Sequence, residues 1–185
     1  YIDLLYVHQP FGDFVGAWKD MEKAVKMGKV RALGISNFDA NDEVWNTIMD
    51  SATIKPAVLQ IECHPYAQRL EMRKKAAKEG IQVECWFPLG GAMSNGALFK
   101  DPVIRKIAEA HDKSPAQIIL RWHIQEGFSV IPGATNPDYI KENIQIFDFA
   151  LTDEEMQQMR SLNKEQRFFT MPEEGVRRMV RENNL

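Results

Sequence analysis

The sequence lacks both a long apolar run and an excess of positive charge. No stretch approaches the roughly 20 residues that a helix needs to cross a bilayer, and the N-terminus shows no signal-peptide pattern. The net charge is −3 and the isoelectric point is near 5.9, so no basic field attracts nucleic acid or anionic lipid. The sequence therefore predicts a cytoplasmic protein that binds neither membrane nor nucleic acid.

Cysteine is scarce as well. Only Cys63 and Cys85 occur, both in predicted strand regions and without the paired spacing of a metal-ligand motif. Two isolated cysteines are too few for a disulfide framework. We expect both to be reduced thiols of the core, and we expect no metal site.

What the sequence does contain is an alternation of two patterns. With 44% hydrophobic and 26% charged residues, the 185 residues suffice for one domain, which we place at residues 1–185. Amphipathic stretches such as Ala17, Met21 and Val25 are typical of helices. Between the amphipathic stretches lie short apolar runs that are typical of buried strands. These runs are Ile2 to Val7, Val30 to Ile35, Val58 to Ile61, Ile81 to Trp86 and Val130 to Ile131.

Local signals mark several helix starts. Ser114 begins a capping box with Gln117, and Thr152 begins another with Glu155. Asp39 precedes the second amphipathic stretch, and we expect it to cap that helix.

The spacing of the predicted strands indicates βα units. The first four strands end about 24 to 28 residues apart, the length of one such unit. Strict alternation permits an open doubly wound sheet or a closed barrel, and periodicity does not separate the two. A (β/α)8 barrel needs eight strands and usually about 250 residues, so five units leave two exposed strand edges. We expect a monomer if the barrel is complete and self-association if the chain is truly truncated.

Polar and aromatic residues gather where the predicted strands end. In parallel barrels these ends meet at one mouth. They carry an imidazole, a hydroxyl, two amides and an indole: His8, Ser36, Asn37, Gln60 and Trp86. Paired carboxylates, a Ser/His/Asp arrangement and a metal cluster are missing from this set, which argues against hydrolases and metalloenzymes. Hydrogen-bonding a flat amide and stacking on a ring is the more natural use.

Several segments carry a specific resemblance. Residues 1–10 (YIDLLYVHQP), 34–38 (GISNF) and 60–66 (QIECHPY) resemble the fourth, fifth and sixth strands of the aldo-keto reductases. Further matches follow in order at 88–90, 119–122, 131–132, 142–143 and 147–149. The resemblance is strongest to bacterial diketogluconate and methylglyoxal reductases. It implies a (β/α)8 TIM barrel, of which this chain would be about five units, and NAD(P)H-dependent reduction of small aldehydes or ketones.

The resemblance implies a role for each matched position. His8 matches the active-site histidine that hydrogen-bonds the substrate carbonyl. Ser36, Asn37 and Gln60 match the residues that hold the nicotinamide carboxamide, and Trp86 stands where an aromatic residue, usually tyrosine, stacks on the nicotinamide ring. The other implied cofactor-binding positions are Phe87, Leu89, Gly133, Ala134, Thr135 and, near the adenine, Glu142 and Asn143.

One departure from the family concerns the proton donor. The family uses a tyrosine assisted by a lysine and an aspartate, and all three lie upstream of the strand with which this chain begins. Tyr1, Tyr6, Tyr66 and Tyr139 align with other positions. We therefore expect the activity in the intact parent protein and not in these 185 residues alone.

A second departure concerns the 2′-phosphate of NADPH. Many relatives bind it with Lys and Ser after Ile-Pro and with an Arg five residues beyond the Ser; here these positions are Gly133, Ala134 and Tyr139. Phe87 stands where a phosphate-binding serine is common. Each charge-assisted contact is worth about 1.5 to 3 kcal/mol. We expect NADP(H) or NAD(H) to be bound with weak discrimination.

Two other hypotheses stay open. One is a non-catalytic aldo-keto-like binding or assembly module, or an inactive truncated half-barrel. The other is an unrelated α/β barrel for a phosphorylated sugar, which would need a glycine-rich phosphate cradle. Gly90, Gly91 and Gly133 are weak candidates for that cradle.

The C-terminal tail is expected to shape the substrate side. Specificity in such barrels comes largely from loops, and the tail at residues 163–185 contains Arg167, Phe168 and Phe169. We expect it to fold over the mouth and add an aromatic wall. We expect the substrate to be a small carbonyl compound.

Overall fold

Five parallel strands form the sheet of the computed structural model, which describes residues 1–182. They lie in the order β1-β2-β3-β4-β5. Each predicted strand is present, with ends that differ by about one residue. The bounds are β1 Ile2–Val7, β2 Val30–Ser36, β3 Val58–Glu62, β4 Gln82–Trp86 and β5 Ser129–Val130.

The strand order decides between the two arrangements that the spacing left open. A doubly wound sheet reverses its order at a switch point, whereas here each strand is added on the same side of the one before it. Right-handed crossovers that always step in one direction place their helices on one face of the sheet. The chain therefore builds consecutive βα units of the barrel type.

Helices connect and follow the strands. Within residues 1–182, no helix is both long and apolar enough to span a bilayer. The bounds are α1 Phe14–Lys26, α2 Asp42–Ser51, α3 Leu70–Lys78, α4 Ala97–Lys100, α5 Pro102–His111, α6 Pro115–Gln125, α7 Pro137–Ile144, α8 Asp153–Ser161 and α9 Glu173–Glu182.

Two of the three predicted helix caps are present in the structure. Ser114 and Thr152 both form the predicted capping boxes, at the starts of α6 and α8. The prediction for Asp39 is wrong, because α2 begins later and the side chain of Asn41 caps it, accepting from the N–H of Val44 at 2.9 Å. Asp39 instead forms an ion pair with Arg69.

The two faces of the sheet differ in polarity because side chains alternate along each strand. The helix-covered face carries the buried core residues Leu33, Ile35, Leu59, Ile61 and Cys85. The opposite face, called the polar face below, carries Tyr6, Ser36, Gln60, Glu62, Glu84, Trp86 and Ser129. Polar residues at alternate positions of a parallel strand require partners on the neighbouring strands.

Gly34 makes room for an aromatic ring on the polar face. It pairs with Tyr6 across β1 and β2, and a Cβ atom at Gly34 would lie 2.4 Å from Cε1 of Tyr6. Any side chain at this position would displace the ring. The glycine therefore allows Tyr6 to lie against the neighbouring strand.

A buried carboxylate ties α1 to the segment after α2. Glu22 accepts hydrogen bonds from Nε1 of Trp18 at 3.1 Å and from the N–H groups of Thr53 and Ile54 at 2.6 and 2.8 Å. Burial opposes the charged form, but these hydrogen bonds and the one from Lys19 lower the pKa of Glu22. Its contribution to stability is therefore present above the ordinary pKa and is lost as the pH falls below it.

We expect Glu22→Gln to lower the free energy of unfolding by about 1.5 to 3 kcal/mol, because the amide loses the charge and turns an NH2 group toward donors. Urea denaturation at neutral pH measures this. The control is Glu109→Gln, at an exposed position of α5, which should change stability by less than about 0.5 kcal/mol. The difference between the wild type and E22Q should shrink as the pH falls below the ordinary pKa of glutamate, because the folded pKa of Glu22 is lowered. A difference that does not depend on pH would contradict the role of the charge.

Candidate active site

A cavity of ≈ 760 Å³ opens at the carboxyl ends of the strands. This volume is in the range of small-molecule sites. The residues predicted to share one space do line it: His8, Ser36, Asn37, Gln60, Trp86, Phe87, Leu89 and Gly133.

These side chains lie close together because the neighbouring strands end side by side. Ser36 pairs with Gln60, and Glu62 pairs with Trp86, so neighbouring strands stop at nearly the same height. Asn37 follows β2 in the left-handed conformation, with φ 63°, and its N–H donates to the carbonyl oxygen of Gln60 at 2.9 Å. Asparagine tolerates this conformation better than most residues, and the chain turns away directly after Ser36.

Hydrogen bonds orient the amide and indole groups. Nε1 of Trp86 donates to Oδ1 of Asn37 at 3.0 Å. Nδ2 of Asn37 donates to Oγ of Ser36 at 3.1 Å and to the carbonyl oxygen of His8 at 3.4 Å. The hydroxyl of Ser36 donates to Oε1 of Gln60 at 3.4 Å. A continuous chain of hydrogen bonds therefore crosses β4, β2 and β3.

This series of hydrogen bonds ends at a carboxylate that the sequence analysis did not identify. Glu84, on the polar face of β4, accepts from Nε2 of Gln60 at 2.8 Å and from the hydroxyls of Tyr6 and Ser129, each at 2.9 Å. Burial and the bond to Glu84 raise the pKa of Tyr6. The available signal was a glutamate two residues before Trp86 inside an apolar strand, because a charge there needs partners.

Aromatic rings form one wall of the cavity. The ring of Trp86 lies edge to face with Phe87 at 4.8 Å and with Phe169 at 5.5 Å between centroids. A Cβ atom at Gly91 would lie 2.8 Å from the ring of Phe87. Gly91 therefore leaves space for the ring.

The C-terminal tail reaches the mouth, as expected. Arg167 and Phe169 line the cavity, and so does Val176 in α9. The guanidinium of Arg177 lies 4.1 Å from the ring centroid of Phe11, in the loop after β1. Residues 183–185 of the predicted tail lie outside the described residues.

Glu62 anchors this tail. Its fully buried carboxylate accepts from Nε of Arg167 at 2.7 Å and from the N–H groups of Phe168 and Phe169 at 2.6 and 3.1 Å. Nε2 of His64 lies 3.2 Å from it, and the His64 ring stacks on Phe168 at 4.6 Å. Burial opposes the charge, but the hydrogen bonds lower the pKa of Glu62 to about 2.

Comparison with known proteins decides the family. The model of the aldo/keto reductase family matches residues 1–164. The chain belongs to this family. It is 41% identical over 175 residues to glyoxal reductase of Bacillus subtilis, covering 94% of this chain and 61% of the relative. It is 42% identical over 168 residues to 9,11-endoperoxide prostaglandin H2 reductase of Trypanosoma cruzi, covering 90% and 58%. The chain thus spans about three fifths of the length of these relatives.

Solved aldo-keto reductases share the fold. MGS-M4, an aldo-keto reductase from a deep-sea metagenome library, matches 93% of this chain at 34% identity with a TM-score of 0.83, over 65% of its own chain. A Gox0644 mutant in complex with NADPH matches 94% at 36% identity with a TM-score of 0.80, over 60% of its chain. The predicted (β/α)8 TIM barrel class is confirmed. The hypothesis of an unrelated sugar-phosphate barrel is wrong.

Four positions of the aldo-keto reductase pattern lie outside the cavity lining. Ala134 and Thr135 precede α7, and Glu142 and Asn143 lie within it. The carboxylate of Glu142 accepts a hydrogen bond from the hydroxyl of Ser114, so it ties α7 to the start of α6. Their contacts with a cofactor stay a prediction.

The fold also brings His123 beside both cysteines. Cys63 and Cys85 are free and buried, and their sulfur atoms lie within 4.8 Å of each other and of a ring nitrogen of His123. Both ring nitrogens already contact carbonyl oxygens, of Ile119 at 2.7 Å and of Cys63 at 3.1 Å. A hydrogen bond from Cys85 lowers the pKa of Cys63, and burial raises that of Cys85. Sequence spacing missed this group because His123 lies on α6, 60 residues from Cys63.

We expect Glu62→Gln to release the tail from the mouth. The amide turns an NH2 group toward Arg167 and loses hydrogen bonds to a charged acceptor, which are worth about 1.5 to 3 kcal/mol. Trypsin should therefore cleave after Arg167 about tenfold faster, as measured by mass spectrometry of the products. Glu109→Gln is again the control, with no expected change in cleavage.

Acid should produce the same release in the wild type. Because the folded pKa of Glu62 is about 2, its contribution is complete above an ordinary glutamate pKa of about 4.5 and is lost as the pH falls toward 2. Hydrogen exchange of the Phe168 and Phe169 N–H groups, corrected for intrinsic rates, measures this. Equal protection of these groups in the wild type and E62Q at neutral pH would show that Glu62 does not hold the tail.

Proposed function

We propose that the full-length protein reduces small aldehydes or ketones to alcohols with NAD(P)H. The proposal depends on the convergence of His8, Ser36, Asn37, Gln60 and Trp86 on one cavity. Family membership supports it, since relatives are named as reductases of glyoxal and of a prostaglandin endoperoxide.

The donors and acceptors of the cavity fit a nicotinamide carboxamide. That group has one acceptor oxygen and one NH2 donor. The bonds from the Ser36 hydroxyl to Oε1 of Gln60 and from the Asn37 amide nitrogen to the His8 carbonyl oxygen are both long, at 3.4 Å. Either proton can therefore be redirected to the carboxamide oxygen, while Oε1 of Gln60 accepts from its NH2 group. The indole of Trp86, oriented by its bond to Asn37, provides an aromatic face. Bound here, NAD(P)H would supply a hydride to the substrate carbonyl.

His8 is the residue that we assign to the substrate carbonyl. It follows β1 at the cavity, and its own backbone carbonyl accepts from the Asn37 amide at 3.4 Å. A ring N–H donated to the substrate oxygen polarises the C=O bond and stabilises the negative charge that develops on that oxygen.

The lining favours an uncharged substrate. Its two arginines are each paired with a carboxylate, Arg167 with Glu62 at 2.7 Å and Arg177 with Glu173 at 2.7 Å. The apolar part of the lining includes Phe87, Leu89, Phe169 and Met171. A small aldehyde or ketone without charge suits this surface better than an anion does.

A second candidate function is compatible with the tyrosines of the described residues. All four lie within the described residues, and none lines the cavity. Tyr6 donates to Glu84, and Tyr66 donates to Asp101 at 2.7 Å; burial and this bond raise the pKa of Tyr66 to about 12. Neither is suited to release a proton. The alternative is a non-catalytic module that binds a nicotinamide cofactor without turnover.

One experiment separates the two functions. In the full-length protein, His8→Ala should lower kcat/KM for methylglyoxal by about 100- to 1000-fold, with the Kd for NADPH changed less than about twofold. The control His111→Asn, at the end of α5 and 2.9 Å from Glu155, should leave both constants unchanged. Binding of NADPH without turnover of any aldehyde would support the module. Absence of NADPH and NADH binding would refute both.

We also propose weak discrimination between NADPH and NADH, because Gly133 and Ala134 bring no charge to a 2′-phosphate. The two Kd values should lie within about a hundredfold. Gly133→Lys should raise the preference for NADPH about tenfold or more. A Cβ atom at Gly133 meets nothing within 4 Å, so a side chain can leave the backbone here without a clash. Gly133→Gln, without charge, should shift the preference less than about twofold. A preference of the wild type for NADPH over NADH greater than about a hundredfold would refute the proposal.

A further inference from the structure

Four hydrogen bonds at the polar face form a series in which each group donates to the next. They run from the Trp86 indole to Asn37, from Asn37 to Ser36, from Ser36 to Gln60 and from Gln60 to Glu84. One end is a group that only donates, and the other is a carboxylate that only accepts. The groups between them can each do both, so the two ends determine the direction.

Glu84 determines which way the Gln60 amide faces. Its Oε1 lies 2.8 Å from Nε2 of Gln60, and an ionised carboxylate offers no proton, so the NH2 group must face it. A reversed amide would place its oxygen against the carboxylate and lose this charge-assisted hydrogen bond. The Gln60 oxygen is therefore held toward Ser36 and the cavity.

We propose that Glu84 is a positioning residue that makes the cavity select a carboxamide over a carboxylate on the bound pyridine ring. The proposal rests on the proposed function, because it takes the ligand to be a nicotinamide dinucleotide. With its oxygen facing the cavity, Gln60 accepts from a carboxamide NH2. The same oxygen repels the carboxylate of a nicotinic acid dinucleotide, which has no proton to donate there.

Glu84→Gln tests this proposal because it removes the charge and leaves the size of the side chain unchanged. The new amide either accepts from Gln60 or donates to it, while the hydroxyls of Tyr6 and Ser129 donate or accept as needed. Both orientations of Gln60 then become accessible. The variant therefore keeps its hydrogen bonds and is expected to fold.

The experiment is calorimetric titration of the full-length protein with NAD⁺, nicotinic acid adenine dinucleotide and ADP-ribose, which has no pyridine ring. In E84Q, NAD⁺ should bind about twofold more weakly, because about half of the Gln60 amides face the wrong way. The nicotinic acid dinucleotide should bind about tenfold more tightly, since it no longer has to break a charged hydrogen bond. ADP-ribose should be unaffected.

The double variant separates orientation from charge. Removing the Glu84 charge could itself favour an anionic ligand, so the titrations are repeated with Gln60→Leu and with Gln60→Leu/Glu84→Gln. If Glu84 acts through Gln60, E84Q should change the ratio of the Kd values for NAD⁺ and the nicotinic acid dinucleotide by less than about twofold in the Q60L background.

Two outcomes overturn the proposal while leaving the proposed function intact. In one, the ratio of the Kd values for NAD⁺ and the nicotinic acid dinucleotide is the same in E84Q as in the wild type. In the other, E84Q changes this ratio equally in the wild-type and Q60L backgrounds. A wild type that binds NAD⁺ no more tightly than ADP-ribose would instead refute the nicotinamide site itself, and with it the role of Glu84.

Discussion

The polar side chains of the polar face are buried or partly buried, so they need hydrogen-bond partners, and neighbouring strands provide most of them. An unpaired buried polar group costs about 1 to 3 kcal/mol, so the register of the strands and the identity of these residues cannot vary independently. The pairing of Ser36 with Gln60, and of Gln60 with Glu84, places complementary groups side by side. The same register brings the strand ends to one level, where the cavity opens.

Two carboxylates give this face its fixed geometry. Glu84 lies deeper on β4 and orients Gln60, while Glu62 lies at the end of β3 and holds the tail by three hydrogen bonds from Arg167, Phe168 and Phe169. Both are surrounded by donors. Glu62 is fully buried and Glu84 is partly buried. Each accepts at least three hydrogen bonds, which disfavours other orientations of the groups that donate to it.

The features that sequence predicted well are those encoded within a few neighbouring residues. Strand bounds follow from short apolar runs, and the caps at Ser114 and Thr152 follow from motifs four residues long. The same reasoning failed at Asp39, because two nearby side chains can cap a helix and its first turn decides between them. The convergence at the cavity was also predictable, since parallel strands send their carboxyl ends to one edge.

The features that sequence did not predict depend on contacts between distant segments. Glu22, Glu84 and the grouping of His123 with the cysteines each join residues from separate units. An isolated glutamate in an apolar strand indicates that partners exist but does not say which ones. Tyr6 reaches Glu84 across 78 residues, a separation at which no local pattern is informative.

The two sides of the cavity come from different parts of the chain. The match ends at residue 164, so the strand ends that face the proposed cofactor lie within it, while Arg167 and Phe169 lie beyond it. These tail residues are nevertheless placed by Glu62, which lies inside the match, through contacts to main-chain N–H groups as well as to Arg167. Main-chain contacts do not depend on which side chains the tail carries. The anchor therefore places the backbone of the tail at the mouth of the cavity whatever side chains positions 168 and 169 carry.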